Sequence, residues 1–371
     1  MKWFRTVAVA TAAAAALAPA TAAAHGNGQR RASGHLKHVF VIMLENHSRD
    51  GVIGDPNAPA ITALAHRYGV ARNYYGVTHP SEPNYVALIG GDNFGVNNDS
   101  PANRFDARNL VDQLEASGHT WAGYMESAPS DGYLGDYWPS SSNALYASKH
   151  NPFALFNDVR SDPSRMAHVK TFDSLAGDLN GKERSIPDFA LIIPNQCHDM
   201  HGGVYTQVAP DGSDGSPCPY GSANDDANDA ALKQKADAFV RSTVDTITHS
   251  KAWRGNSAIF VVADESDYDG DQTTGGWADV SGCCDSPVLP AGDPSVSANW
   301  PGGVYGGGLS PAIVIARNGP RHFESTTPYN HYSLLTTIES NWHLGYLGHA
   351  GDAAGGVVAM NDLLERHGRH P

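Results

Sequence analysis

Ser81-Glu82-Pro83-Asn84 places a hydroxyl at the threshold of a helix. The four residues follow a short apolar segment, Val70 to Tyr75, and open a helix-compatible run from Pro83 to Ile89. The unpaired N–H groups of a helix's first turn favour an anionic phosphoryl group. Ser81 therefore has the residue type, position and electrostatic surroundings of a nucleophile that attacks phosphorus, with Thr78 as the reserve. The competing reading is an ordinary N-cap serine.

Other chemistry-bearing groups recur along the chain. Glu45-Asn46 offers a carboxylate and an amide oxygen that could ligate a cation or place a phosphate, or simply open a polar loop. Asp264-Glu265 sets two carboxylates side by side, which repel unless a cation neutralises them; the alternative is an exposed acidic turn. Such a cation beside Ser81 would ease loss of its proton. His198-Asp199-Met200-His201 gathers two imidazoles and a carboxylate that could bind metal or protonate a leaving alkoxide, against a reading as solvated loop histidines with Met200 packing. His331 opens a helix-compatible segment, and His79 is a further candidate for contact with phosphate. His47, His343, His349, His367 and His370 belong to no such constellation and are expected on the surface.

Six short apolar runs must position these groups: Val39 to Leu44, Val70 to Tyr75, Thr120 to Tyr124, Phe189 to Ile193, Ile259 to Ala263 and Ala312 to Ala316. Their length and Val/Ile/Phe content predict strands buried on both faces. Between them, Ala107 to Ala116, Asp226 to Thr248 and His331 to Trp342 carry helical periodicity. Strands alternating with helices predict an α/β domain: a largely parallel central sheet with helices on both faces. Ligands of such sheets bind beyond the carboxyl ends of the strands, where Glu45, Asn46, Ser81, His198, Asp199, His201, Asp264 and Glu265 all fall. Three long polar stretches, Glu126 to Pro163, Asp199 to Asp225 and Asp267 to Gly308, are expected to wall the site. Asp269 and Asp271 could hold a structural calcium or form a solvated turn.

The first 24 residues carry two basic residues, an alanine-rich apolar run and Ala22-Ala23-Ala24, the pattern of a secretory signal peptide. A polar tail over residues 25–36 and a single catalytic domain over 37–371 are expected to follow. The formal net charge is −14, and removing the leader makes it more negative. This charge argues against nucleic acid or an anionic membrane surface as an electrostatically held partner, and no nucleic acid partner is expected. No later apolar run approaches the roughly 20 residues of a membrane span, so no integral membrane contact is expected and the product reads as secreted. Cys197, Cys218, Cys283 and Cys284 in an exported chain point to disulfides, whose pairing the sequence leaves open; a four-cysteine zinc site lacks the paired short spacings it needs.

Taken together, the motifs resemble the bacterial and fungal phosphoesterase family of acid phosphatases and phospholipases C, within the alkaline phosphatase superfamily. The resemblance rests on Val41 to Asp50 around Glu45-Asn46, on Thr78-His79-Pro80-Ser81-Glu82-Pro83-Asn84-Tyr85, on Pro194 to His201, on Asp264-Glu265 and on Asn330 to Glu339. It implies an alkaline-phosphatase-like fold and a phosphoseryl intermediate on Ser81. It further implies a divalent metal, one or two ions of zinc, calcium, magnesium, manganese or iron. Glu45, Asn46, Ser81, Asp264 and Glu265 match its ligand positions, and Asp199, His201 and His331 match positions that bind a second cation or the phosphate. His198 is expected as proton donor, and Thr78, His79 and Asn84 as substrate contacts. Many phospholipase members carry Arg where this chain has His47 and an aromatic where it has Arg49, and the Thr-His-Pro-Ser-Glu-Pro-Asn form looks more like the compact acid phosphatase branch. The expected function is a secreted metal-dependent phosphomonoesterase acting on a phosphorylated small molecule. The alternatives are a phospholipase C cleaving a phospholipid headgroup and a non-catalytic secreted metal- or phosphate-binding protein.

Overall fold

Successive residues of the strand His38–Leu44 (β1) are all buried, and they divide cleanly between two cores: Val39, Val41 and Met43 face one, Phe40, Ile42 and Leu44 the other. Only a strand in the middle of a covered sheet alternates between two apolar environments in this way. The computed structural model describes residue 1 and residues 35–206, 217–221, 226–267 and 279–365. The chain divides into two units, Met1–Ser33 and Gly34–Pro371, and the description concerns the second. The expected signal peptide, most of the tail, Asp269 and Asp271 lie outside the described residues.

The sheet has eight strands: β1, Gly69–Tyr75 (β2), Trp121–Met125 (β3), Val169–Thr171 (β4), Phe189–Ile193 (β5), Ser257–Ala263 (β6), Ala312–Ala316 (β7) and Phe323–Asn330 (β8). Their order is β8-β2-β7-β6-β1-β5-β3-β4. All pairings are parallel except those of β7, which runs antiparallel to both β2 and β6. The expected largely parallel α/β sheet is therefore present. Pro59–Arg67 (α1) and Asp226–His249 (α4) cover one face, with Ile61, Phe239, Val240 and Ile247 in its core. Ser81–Gly90 (α2), Leu110–Ala116 (α3) and His331–Trp342 (α5) cover the other, through Tyr85, Leu88, Leu114, Leu335 and Ile338.

All six expected strands form. The two edge strands β4 and β8 escape the sequence pattern for different reasons. β4 is three residues long, and β8 is polar, with a register irregularity beside Pro328. Helix α1, absent from the expected helices, carries one local signal, Pro59 at its first position. The long stretch from Glu126 to Pro163 is not irregular throughout, since Tyr137–Ser140 and Asn143–Ala147 pair as a hairpin. Among the described residues no helix is long and apolar enough to cross a membrane.

One buried group of α5 ties stability to pH. Glu339 accepts from the backbone N–H of Leu347 at 2.9 Å through Oε1, while its Oε2 is buried without a hydrogen-bond partner. Burial pushes its carboxyl up to about 8, so the folded chain keeps a proton that the unfolded chain has lost. Wherever the folded state binds more protons, stability falls as pH rises. The thermal midpoint is therefore expected to fall more steeply between about pH 5 and about pH 8 in the wild type than in Glu339→Gln, whose amide does not titrate. Parallel midpoint curves would remove Glu339 from this role.

Candidate active site

Backbone register brings the two acidic pairs together. β1 and β6 run parallel with Leu44 opposite Ala263, and the N–H of Asp264 donates to the carbonyl of Leu44 at 3.0 Å. Glu45-Asn46 and Asp264-Glu265 thus emerge side by side from adjacent strands. On the other flank of β1, the Glu45 N–H donates to the carbonyl of Asp199 at 2.8 Å, which draws in the loop after β5. Asn46 adopts φ +45°, a left-handed conformation that Asn tolerates better than most residues. Its N–H and that of Glu265 both donate to Asp264 Oδ1, at 3.2 and 2.7 Å.

Ser81 must reach this cluster across β7, which separates β2 from β6. The crossing turn works because two glycines touch. A Cβ on Gly76 would lie 2.7 Å from the Asp264 carbonyl oxygen and 2.9 Å from Gly307 Cα. Asn84 staples the turn: its Oδ1 accepts from the N–H groups of Val77 and Thr78, and its Nδ2 donates to the carbonyls of Thr78 and Pro80. α2 begins at Ser81, two residues before the expected start at Pro83, with Pro80 at the cap position. Ser81 is therefore not an N-cap. Its Oγ lies 2.9 Å from Glu45 Oε2 and 3.1 Å from Glu265 Oε1. One turn further along α2, on the same face, Tyr85 donates to Glu45 Oε1 at 2.6 Å.

One hydroxyl proton cannot satisfy two carboxylates, and the surroundings sharpen the conflict. Glu45, Asp199, Asp264 and Glu265 are fully buried. Burial raises the proton affinity of all four, and the mutual repulsion of Glu45 with Asp199 and Asp264 adds to it. The side-chain amide of Asn46 faces the same acceptors. Turned one way, its Nδ2 donates to Glu265 Oε1 at 2.9 Å and Glu45 Oε2 at 3.1 Å. Turned the other way, its oxygen joins theirs and a cation must lie between them. Among the described residues, Asp264 Oδ2 and Asp199 Oδ2 are buried with no hydrogen-bond partner. Hard oxygen donors converging without enough protons fit a divalent cation.

The histidines divide by role. His150, which no sequence pattern singled out, is buried with Nε2 3.1 Å from Glu45 Oε1 and Nδ1 3.5 Å from Asp199 Oδ2, its ring stacked on Tyr85. It closes the short turn Ser148–His150 after the hairpin strand Asn143–Ala147, away from the ends of the central strands, so only the fold reveals it. Glu45, His150 and His201 bring ligand atoms within 4.8 Å of one another. Burial and the nearby Lys149 charge hold both imidazoles neutral, with His201 lowered to about 3. His198 stands apart from these contacts on the Glu126 carboxylate, at 2.9 Å, with its ring against Phe239. His331 uses both nitrogens internally: Nε2 donates to the Asp264 carbonyl at 2.6 Å and Nδ1 accepts from Tyr74 at 2.8 Å. His79 contacts Glu265 Oε2 at 2.5 Å and the Asp279 carbonyl at 2.9 Å. Thr78 donates to the carbonyl of His79. In this geometry His331, His79, Thr78 and Asn84 all serve the strand ends and the turn that hold the reactive groups. His47, expected on the surface, is buried, with Nε2 2.8 Å from Asp229 Oδ1 on α4.

The four cysteines pair as Cys197–Cys218 and as the adjacent Cys283–Cys284, which settles the pairing the sequence leaves open. The first ties the loop after β5, which carries Asp199 and His201, to Cys218. The second presents both its carbonyls to Asn330 Nδ2, and Asn330 Oδ1 caps α5 through the N–H of Ser333.

With the geometry in place, comparison with known proteins agrees with the motifs. Residues 55–213 match the model of the Phosphoesterase family. The matched stretch, which contains Ser81, is similar to that family over less than half of the chain. A phosphate-repressible acid phosphatase from Penicillium chrysogenum is 27% identical over 314 residues, 83% of this chain and 59% of that protein. A phosphatidylinositol-3-phosphatase from Mycobacterium tuberculosis is 33% identical over 171 residues, 46% of this chain and 53% of that protein. The matches thus span little more than half of these phosphatases. Among solved structures, a candidate sulfatase from Bacteroides thetaiotaomicron superposes with a TM-score of 0.51 at 14% identity, covering 90% of this chain and 76% of that one. That likeness is one of fold alone.

A cation that binds only the folded site stabilises it by mass action. Adding a divalent metal to chelator-treated protein is expected to raise the thermal midpoint, and Asp264→Asn to diminish that rise. Gly76→Ala should weaken the response as well, because its new methyl would displace the Asp264 carbonyl without removing any ligand. An unchanged midpoint with each of several divalent metals would refute the assignment.

Proposed function

We propose that this chain is a metal-dependent phosphomonoesterase of the acid phosphatase type, which passes the phosphoryl group of a small phosphorylated substrate to Ser81 and then to water. The observation that carries the reading is the position of Ser81 Oγ, buried between Glu45 Oε2 and Glu265 Oε1 at the start of α2. A hydroxyl surrounded by acceptors is set to lose its proton, and a helix N-terminus favours the incoming anion. The two named phosphatases and the family match over residues 55–213 support the same chemistry.

Glu45, Asn46, Asp264 and Glu265 would hold the divalent cation beside Ser81. When bound, it supplies the positive charge that offsets these carboxylates and lowers the proton affinity of the neighbouring hydroxyl. Ser81 Oγ attacks phosphorus while its proton passes to the carboxylate it touches, Glu45 or Glu265. The bond to the ester oxygen breaks as His198, oriented by Glu126, gives that oxygen a proton. Water then attacks the phosphoserine as the now neutral His198 takes a proton from that water, and the P–Oγ bond breaks as the protonated carboxyl returns the proton to Ser81 Oγ, which restores Ser81 and releases phosphate. Tyr85, whose phenol burial keeps protonated, fixes Glu45 throughout. His331 and His79 act as positioning residues for Asp264 and Glu265. We also propose that residues 1–24 direct export and that residues 37–371 form one catalytic domain.

Ser81→Ala is expected to cut kcat on the order of 10³-fold or more while retaining bound metal. Acid quenching of wild-type turnover should yield a tryptic peptide phosphorylated at Ser81. An active Ser81→Ala with an inactive Thr78→Ala would move the nucleophile, and faster cleavage of a phospholipid diester than of any monoester would replace the substrate class.

Loss of the proton donor has its own signature. His198→Ala should slow an alkyl phosphate far more than a nitrophenyl phosphate, because an activated aryl oxide departs without a proton. Equal slowing of both, reversed by added metal, would instead mark His198 as a ligand.

A further inference from the structure

Glu45, His150 and His201 look at first like a second cation site beside Ser81. The position is already taken by a charge of the chain's own. Lys149 Nζ lies 3.2 Å from His201 Nε2 and 2.9 Å from Asp99 Oδ2, with a side chain only 13% exposed. His201 Nδ1 lies 2.9 Å from the carbonyl of Gly202, to which it must donate, since a carbonyl only accepts. Its lone pair is then on Nε2, pointing at the ammonium. Both nitrogens of His201 are engaged, and a divalent ion drawn to Nε2 would meet a like charge at close range in a poorly solvated site.

Two further contacts link Lys149 to the neighbourhood of Ser81. Asp99, its carboxylate partner, also accepts from the N–H of Glu82 at 2.9 Å, the amide immediately after the proposed nucleophile. The residue following Lys149 is His150, which faces the same Glu45 that accepts from Ser81. Lys149 is thus tied from two sides to the turn that carries Ser81.

We propose that Lys149 takes the place of a second cation: the site holds one metal ion, and the Lys149 ammonium binds the phosphoryl oxygens that a second ion would otherwise neutralise. The inference rests on the phosphoesterase reading and specifies its metal count and its phosphate subsite. A phosphate dianion entering among buried carboxylates needs more positive charge than one divalent ion provides, and a lysine is a recognised point charge for phosphate.

The test uses the full mature chain, saturated with zinc and dialysed, with ions per chain measured by elemental analysis and inorganic phosphate binding by calorimetry. Wild type is expected to hold one ion per chain. Lys149→Met should weaken phosphate binding about tenfold or more while keeping that ion, and Lys149→Arg should retain most of the affinity. Arg72→Met, which removes a cation from the exposed Arg72–Glu324 pair, should leave it within about twofold and so exclude a net-charge effect. Two ions per wild-type chain, or unchanged phosphate affinity in folded Lys149→Met, would overturn the proposal. The ion count needs no variant, so it decides even where Lys149→Met does not fold. A wild-type chain that binds neither zinc nor phosphate defeats the phosphoesterase reading itself, whereas failure in Lys149→Met alone defeats only the role of Lys149.

Discussion

Four carboxylates with no access to water, Glu45, Asp199, Asp264 and Glu265, crowd together, two of them, Glu45 and Glu265, against the Ser81 hydroxyl, and the rest of the structure is arranged around that repulsion. Buried like charges survive only if they take up protons or share a cation. Tyr85 and Ser81 supply hydroxyl protons, and Asn46 can supply an amide or an oxygen depending on which way it turns. These neutral partners cannot offset several full negative charges. The stored repulsion is a binding site for positive charge, and it makes the hydroxyl at its centre responsive to whatever cation arrives.

Such a cluster forms only because the backbone leaves it no alternative. β1 and β6 are adjacent, parallel and in register, so the residues that follow them emerge as neighbours regardless of their mutual dislike. Two apolar cores grip the strands from either side, and their burial offsets the electrostatic cost. The turn before Ser81 is fixed by glycine contact at Gly76 and Gly307 and by all the hydrogen-bonding capacity of Asn84. His331 and His79 then hold the second acidic pair by contacts of 2.5 to 2.6 Å.

How much of this was legible in the sequence follows from which physical signals are local. Buried strands announce themselves by apolar runs, so β1, β2, β3, β5, β6 and β7 were readable, and with them the rim where their ends deliver Glu45, Ser81, Asp199 and Asp264. β4 and β8 were not, because an edge strand needs little apolar surface. The antiparallel sense of β7 leaves no mark in its own residues. Within the site, residue type was a better guide than role. Asn84, Thr78 and His331 are where the motifs placed them, yet their polar atoms are spent on the protein's own backbone and side chains, a distinction only coordinates can draw. Lys149 and His150 gave no signal, since they lie on a short turn with no periodicity and no carboxylate beside them in sequence.

The division between strand ends and loops is also a division of charge. The sheet supplies the anions, since strand-end positions can bury a carboxylate in a fixed place. The loops supply the counter-charges and the rings. Lys149 and His150 come from the segment after the hairpin, and His201 from the loop closed by Cys197–Cys218. A buried carboxylate must be rigid to be useful, because its energy depends steeply on distance to its neighbours. A cationic side chain that meets substrate gains from a longer, adaptable stem, provided a partner such as Asp99 restricts it. Changes in those loops would therefore alter what the site binds while leaving untouched the sheet that makes it reactive.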